Sequence, residues 1–118
     1  MKNVVMELRE YGCDMDGAMD RFLNDVELFD KCLDSVLADE AFENLGKALN
    51  EGQVRPAFEY AHTLKGVIGN MGLTPLYEII VQIVEPLRVG SSDGMIDKYK
   101  ELMTELDKIK ALVYEGDK

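Results

Sequence analysis

Residues 61–72, AHTLKGVIGNMG, contain the only histidine of the chain, His62, in a segment that otherwise has the composition of a helix. Three glycines, Gly66, Gly69 and Gly72, lie in the same segment. Each glycine inside a helix costs about 0.5–1 kcal/mol relative to alanine. Gly72 fits the C-terminal stop of the helix, but Gly66 and Gly69 weaken its interior. The pattern therefore indicates that something other than helix stability places these two glycines near the imidazole.

A helical wheel of residues 54–71, drawn at about 100° per residue, puts the apolar side chains opposite His62. These predicted core residues are Ala57, Tyr60, Ala61, Leu64, Val67, Ile68 and Met71. Gly66 and Gly69 fall on the outward face, one and two turns beyond His62. A bare backbone beside a reactive side chain allows another molecule to approach closely. We therefore expect both glycines to clear the surface around an exposed imidazole.

Lys65 lies on the same side of the helix, within reach of any group bound to His62. Imidazole is a competent nucleophile, and a lysine can offset negative charge on transferring oxygens. These residues together favour a docking site at which a bulky partner delivers a phosphoryl group. The ordinary alternative is a histidine that is simply solvated at a helix surface.

Apolar side chains near His62 are candidates for contact with such a partner. Phe58 lies one turn before His62 on the same side of the helix, with cover by the N-terminal helix as its alternative. Met15, Ala18 and Met19 belong to a short helical piece near the N-terminus and are further candidates, with core packing as their alternative role.

The composition favours one compact all-α domain over residues 1–118. Of the 118 residues 47% are hydrophobic, only three are proline, and helix-forming residues are abundant. The formal net charge of −10 argues against nucleic acid and anionic membranes as partners, because both would repel the chain.

The cysteines and the N-terminus bear on metal binding and location. Cys13 and Cys32 form no C-x-x-C pair, and one histidine with two distant cysteines makes a poor zinc site. We expect free thiols and no metal. No apolar run reaches the roughly 20 residues that span a bilayer, and the start lacks a signal peptide's apolar core. We therefore expect a cytoplasmic protein.

The first half of the chain is predicted to form helices over residues 3–11, within residues 14–25, and along residues 26–51. Asn3 is the expected N-cap and Gly12 the stop of the first helix, and Asp16 is the expected cap of the second. The third segment has one continuous apolar stripe. Its members are Leu28, Phe29, Leu33, Val36, Leu37, Phe42, Leu45 and Leu49.

The second half is predicted to hold three helices separated by short turns. The first begins near Val54, and the second begins with Thr74 as its N-cap and Pro75 at its first position. Pro86 lies inside this second helix, where it should kink the helix or end it early. The last helix covers residues 95–114, with Asp93 as a possible cap. Several amphipathic helices with short turns predict a helical bundle.

The run at His62 closely resembles the signature of histidine-containing phosphotransfer (HPt) domains, roughly A-H-x-L-K-G-x-x-x-x-x-G. The positions that match are Ala61, His62, Leu64, Lys65, Gly66 and Gly72. Residues 12–37, which contain a Gly-x-Asp start and an Arg-Phe pair, and the turn ALNEGQ at 48–53 are similar to the family as well. The resemblance covers nearly the whole chain, and Pro86 is a departure because the family commonly continues that helix unbroken.

The resemblance implies an up-and-down four-helix bundle with an additional short N-terminal helical segment. It implies that His62 accepts a phosphoryl group from the phospho-aspartate of a receiver domain and passes it to another receiver. Lys65 would hold the phosphoryl oxygens, Gly66 would keep the ring accessible, and Asn70 would hydrogen-bond near the site. The partners would be response-regulator receiver domains and a hybrid sensor histidine kinase. Mg²⁺ would sit on the receiver, and the protein would act as a monomer without a cofactor.

Other functions stay open at this point. The chain has no glycine-rich nucleotide loop and no G-x-x-x-x-G-K-[ST] run, so we expect a phosphocarrier and not a kinase. A non-catalytic bundle that binds a response regulator or another protein is the alternative. A helical metal or cofactor protein would need more inward-facing ligands. Glu59, Gln82 and Glu85 are equal candidates for the group that orients the imidazole.

Overall fold

The computed structural model describes residues 3–115, and these residues form seven α-helices and one π-helical turn, with no β-strand. The helices are α1 (Val4–Tyr11), α2 (Met15–Arg21), α3 (Val26–Leu37), α4 (Ala41–Asn50), α5 (Val54–Asn70), α6 (Thr74–Arg88) and α7 (Met95–Lys110), and the π-helical turn is Ala111–Glu115. The all-α prediction is confirmed. Residues 1–2 and 116–118 of the predicted domain lie outside the described part of the chain.

α5 is packed between two helices, and this arrangement leaves one of its faces free. It contacts α4 on one side and α6 on the other, while α7 packs against α6 and α4. The predicted core face of α5 is confirmed for Ala57, Ala61, Leu64, Ile68 and Met71, all of which are buried. Tyr60 and Val67 lie at the edges of this face and are only partly buried.

The continuous helix expected over residues 26–51 is broken in the structure. α3 ends at Leu37 and α4 begins at Ala41. The Asp39 carboxylate accepts a hydrogen bond from the Ala41 N–H at 2.8 Å. Aspartate competes in this way for backbone donors that a continuing helix would use. The break divides the predicted stripe between two shorter helices. Leu28, predicted as a member of the stripe, is exposed in the first turn of α3.

Capping of the first two helices is confirmed for α1 and wrong for α2. Asn3 accepts a hydrogen bond from the Met6 N–H at 3.0 Å, and α1 stops at Gly12, whose φ is 109°. The N-cap of α2 is Asp14 and not Asp16. Asp16 lies in the first turn and forms an ion pair with Arg9 at 2.6 Å. A carboxylate in the first turn also suits the positive end of the helix dipole.

Two later caps and one helix end also differ from the predictions. Thr74 and Pro75 are already inside α6, whose N-cap is Leu73. The N-cap of α7 is Gly94 at φ 73°, and not Asp93. α6 passes through Pro86 and ends two residues later, at Arg88, so the proline lies in the last turn, where it removes only one hydrogen bond. α7 ends at Lys110, and the π-helical turn carries the chain onward. No helix within residues 3–115 is both long and apolar enough to cross a membrane.

Candidate functional site

His62 is exposed in the middle of α5, on the face that no other helix covers. A shallow depression of about 250 Å³ lies beside it. The depression is lined by His62, Lys65, Gly66, Gly69, Asn70 and Tyr77. Five of these six were predicted from the sequence, and the structure brings them together because they lie on one face of one helix. Tyr77 was missed, since it comes from α6 and leaves no signal in the spacing of α5.

The two interior glycines of α5 have different surroundings. A Cβ at Gly66 would meet no other atom within 4 Å. A Cβ at Gly69 would lie 3.2 Å from the Cε1 atom of Tyr77. The expectation that both glycines only clear the surface is therefore correct for Gly66 and incomplete for Gly69, which also makes room for an aromatic ring.

Phe58 contacts the imidazole directly. The two rings are stacked, with 5.6 Å between their centroids and 30° between their planes. The guanidinium carbon of Arg88 lies 5.3 Å from the centroid of the same Phe58 ring, which is within the range of a cation–π contact. The structure thus adds a cation, Arg88 at the end of α6, on the N-terminal side of His62. The sequence did not indicate Arg88, because its contact with Phe58 is tertiary.

Three residues were considered for orienting the imidazole. Within residues 3–115, none of them forms a hydrogen bond to it. Glu59 pairs with Arg55 at 3.7 Å. The Gln82 amide donates to a backbone carbonyl one turn earlier at 3.1 Å. Glu85 pairs with Arg88 at 3.5 Å. The ring contact that the structure does provide is the stacking of Phe58.

The apolar side chains of α2 do not form a docking surface. Met15, Ala18 and Met19 are buried, at 1%, 0% and 9% exposure. Of the two roles considered, core packing is confirmed for the methionines, and partner contact is wrong for all three because α2 turns its apolar face inward. Core packing and docking require the same amphipathic pattern, so the sequence alone does not separate them.

α2 is tied to the C-terminal end of α5 by hydrogen bonds. The Arg21 guanidinium donates to the carbonyls of Gly69 and Asn70, each at 3.0 Å. The Asp14 N–H donates to the Gly72 carbonyl at 2.8 Å. A cation at this position also offsets the negative end of the helix dipole. Asn70 is exposed at this edge, and its hydrogen bond near the site stays a prediction.

Titratable groups away from His62 are affected mainly by burial. Burial raises the pKa of the Cys13 thiol to about 11, so that thiol stays protonated at neutral pH and is a poor nucleophile. Burial and a hydrogen bond to Glu105 raise the pKa of Tyr11 to about 12. Cys13 and Cys32 are both free thiols. Residues 3–115 contain no cluster of three or more His, Cys, Asp or Glu side chains suited to a metal ion.

Comparison with known proteins adds one finding to this geometry. A protein-family model described as Hpt domain matches residues 27–112. The matched segment contains α5 and α6 complete, and therefore every residue of the depression beside His62. α1, α2 and the loop that follows α2 lie before it. No curated protein and no solved structure matches the chain.

Proposed function

Since the chain belongs to the Hpt domain family, whose members serve phosphotransfer in two-component signalling, we propose that His62 is the residue that carries the phosphoryl group. The single observation that supports this best is the position of the imidazole. His62 is the only histidine of the chain, it is exposed on α5, and the backbone beside it at Gly66 is open. A phosphocarrier needs an accessible nucleophile of this kind.

In the proposed reaction, Nε2 of the neutral imidazole attacks the phosphorus of an aspartyl phosphate on a receiver domain. A nitrogen–phosphorus bond forms as the phosphorus–oxygen bond to the aspartate breaks, and the electron pair of that bond leaves with the partner's carboxylate. The imidazole then loses its Nδ1 proton to solvent. Transfer to a second receiver reverses these steps, with its aspartate as the nucleophile. Catalysis of such a transfer consists mainly of positioning and charge stabilisation.

Three features of the site support that chemistry. Lys65 lines the same depression as His62 and would offset charge on the phosphoryl oxygens. Phe58 stacks on the imidazole and would limit the directions in which the ring can turn. Gly66 leaves space for the receiver. Mg²⁺ would be held by the receiver's acidic residues, and this chain would supply only the nucleophile and nearby cations.

The fold that fits this role is an up-and-down four-helix bundle made by α4, α5, α6 and α7. The support is that successive helices in this set contact each other and that α7 returns to α4. α1, α2 and α3 would form the N-terminal addition. We propose that the whole chain is a single domain and acts as a monomer in the cytoplasm. Its partners would be response-regulator receivers and a hybrid sensor histidine kinase, and it would have no kinase activity of its own.

The test is transfer from a purified receiver domain that has been charged with phosphate on its aspartate. The chain should acquire phosphate that is labile to acid and stable to base, and His62→Gln should acquire none while keeping its helical content. Lys65→Met should slow transfer about tenfold or more, in keeping with the loss of one charge-assisted contact. Lys47→Met, at an exposed position of α4, is the matched control and should transfer normally.

Two outcomes would contradict the proposal. Phosphate on His62→Gln would show that a residue other than His62 is phosphorylated. A folded wild-type chain that binds a panel of receivers but accepts phosphate from none would instead be a non-catalytic binding module.

A further inference from the structure

The end of α2 repeats the hydrogen-bond pattern that ends α5, but with a leucine at the position of a glycine. At the end of α5, the N–H groups of Gly72 and Leu73 donate to carbonyls three and five residues earlier, at 3.1 and 3.3 Å. At the end of α2, the N–H groups of Leu23 and Asn24 do the same at 3.2 and 2.8 Å. This pair of bonds requires a left-handed residue after the helix, and glycine is the usual one.

Within residues 3–115, five helix ends have this pair of bonds, and four of them use glycine at the left-handed position. The four are Gly12, Gly52, Gly72 and Gly90, with φ of 109°, 69°, 71° and 86°. Leu23 is the exception, at φ 53°, and Asn24 follows it at φ 60°. A left-handed conformation strains a residue that has a Cβ, and asparagine tolerates it better than leucine does. The chain therefore keeps a strained residue where glycine would serve.

The Leu23 side chain offers the free protein no packing in return. It is 87% exposed, the highest value among the exposed large hydrophobic residues of the described chain. An exposed apolar side chain is ordinary when it stands alone, but strained residues cluster at functional surfaces. A leucine that is both strained and solvated would gain from a second molecule that covers its side chain.

The surface between His62 and the α2–α3 loop indicates which kind of molecule would cover Leu23. Arg21 is bonded to the end of α5, and Phe22 lines an apolar groove that also includes Asn70. Asn70 in turn lines the depression that holds His62. The surface is thus continuous from the imidazole to the residue next to Leu23.

The scale of a protein interface agrees with this placement. Asn70 lies eight residues after His62, or about 12 Å along the helix. A specific protein interface covers about 800 Å² on each partner, and a round patch of that area is about 30 Å across. A receiver domain whose footprint runs from His62 past Asn70 toward α2 would therefore have room to cover the α2–α3 loop.

We propose that Leu23 is a docking anchor for the receiver domain that exchanges phosphate with His62. The proposal rests on the proposed function of His62. Leu23 precedes the segment matched by the family model, which starts at residue 27, so family membership assigns it no role. On docking, the leucine side chain moves from water into an apolar surface of the receiver. Full burial of one leucine corresponds to about tenfold or more in affinity.

The test is Leu23→Gly, assayed for stability and for transfer from a charged receiver at increasing concentrations of this chain. The melting temperature should rise by about 2–5 °C, because glycine relieves the left-handed strain. The half-saturating concentration should rise about tenfold or more. The limiting rate should stay at the wild-type value, because the imidazole and Lys65 are unchanged.

Two matched variants separate docking from strain and from general hydrophobicity. Asn24→Gly relieves strain in the adjacent residue but keeps the leucine, and should leave the half-saturating concentration unchanged. Ile96→Ala removes an exposed apolar side chain from α7, and should also leave it unchanged.

Three results would overturn the proposal. A wild-type half-saturating concentration in Leu23→Gly would mean that the receiver does not use the leucine. A lower melting temperature in that variant would mean that Leu23 packs within the free protein. Absence of transfer to the wild-type chain would contradict both the proposed function of His62 and the docking role of Leu23. The other two results would contradict the docking role alone.

Discussion

Gly66 and Gly72 lie six residues apart in one motif, yet their surroundings are opposite. A Cβ at Gly66 would meet nothing within 4 Å, whereas a Cβ at Gly72 would collide with the backbone carbonyl oxygen of Asp14. Gly72 also has a φ of 71°, a left-handed conformation that strains any residue with a Cβ. The fold requires the glycine at 72 and does not require the one at 66. A motif of this kind thus combines a structural requirement with one that only a partner can explain.

The largest expected effect comes from Gly72→Ala. A methyl group there adds left-handed strain to a collision with the fixed backbone of Asp14, so unfolding should become easier by about 3 kcal/mol or more. Urea denaturation followed by circular dichroism measures this change. The expected damage is to the junction of α2 and α5, where Arg21 and Asp14 bond to the end of the helix. A loss below about 1 kcal/mol would show that this junction adjusts easily, and the contrast with Gly66 would weaken.

Gly66→Ala should have the opposite effect on stability. Alanine raises helix propensity by about 1 kcal/mol and meets no neighbour. Transfer from a charged receiver should become several-fold less efficient, because the methyl group stands on the open surface beside His62. Denaturation and transfer rates measured on the same preparation test both parts. Unchanged transfer in Gly66→Ala, and again in the bulkier Gly66→Gln, would show that the receiver does not need the bare backbone.

The parts of this site that the sequence predicts are those that lie on one helix. His62, Lys65, Gly66, Gly69 and Asn70 are fixed relative to one another by helical geometry alone, so their spacing is sufficient to place them on one face. Tyr77, Arg88 and Arg21 reach the same region from other helices. Their contacts depend on how helices pack, and no local pattern encodes that.

The errors in the fold prediction have two origins, one local and one tertiary. At the break after Leu37, the Asp39 carboxylate accepts a hydrogen bond from the Ala41 N–H, whereas the apolar period alone continues through it. Met15 and Met19 have the pattern of an amphipathic face, and the pattern does not say whether a core or a partner covers that face. The all-α class, the Asn3 cap of α1 and most of the core face of α5 were predictable because each depends on residues that are close in sequence.

The smallest effect is expected at Gly69, which lies between the two extremes. A Cβ there would be 3.2 Å from Tyr77, so the ring must move by a few tenths of an ångström, and this cost offsets the gain in helix propensity. Gly69→Ala should therefore change the free energy of unfolding by no more than about 0.5 kcal/mol. In a Tyr77→Leu background, the same Gly69→Ala substitution should raise the free energy of unfolding by about 1 kcal/mol. The double-mutant cycle then isolates the contribution of the ring contact. Full stabilisation without the tyrosine change would group Gly69 with Gly66 as an open position. A loss of several kcal/mol would group it with Gly72, and only one glycine of the motif would then remain free to serve the partner.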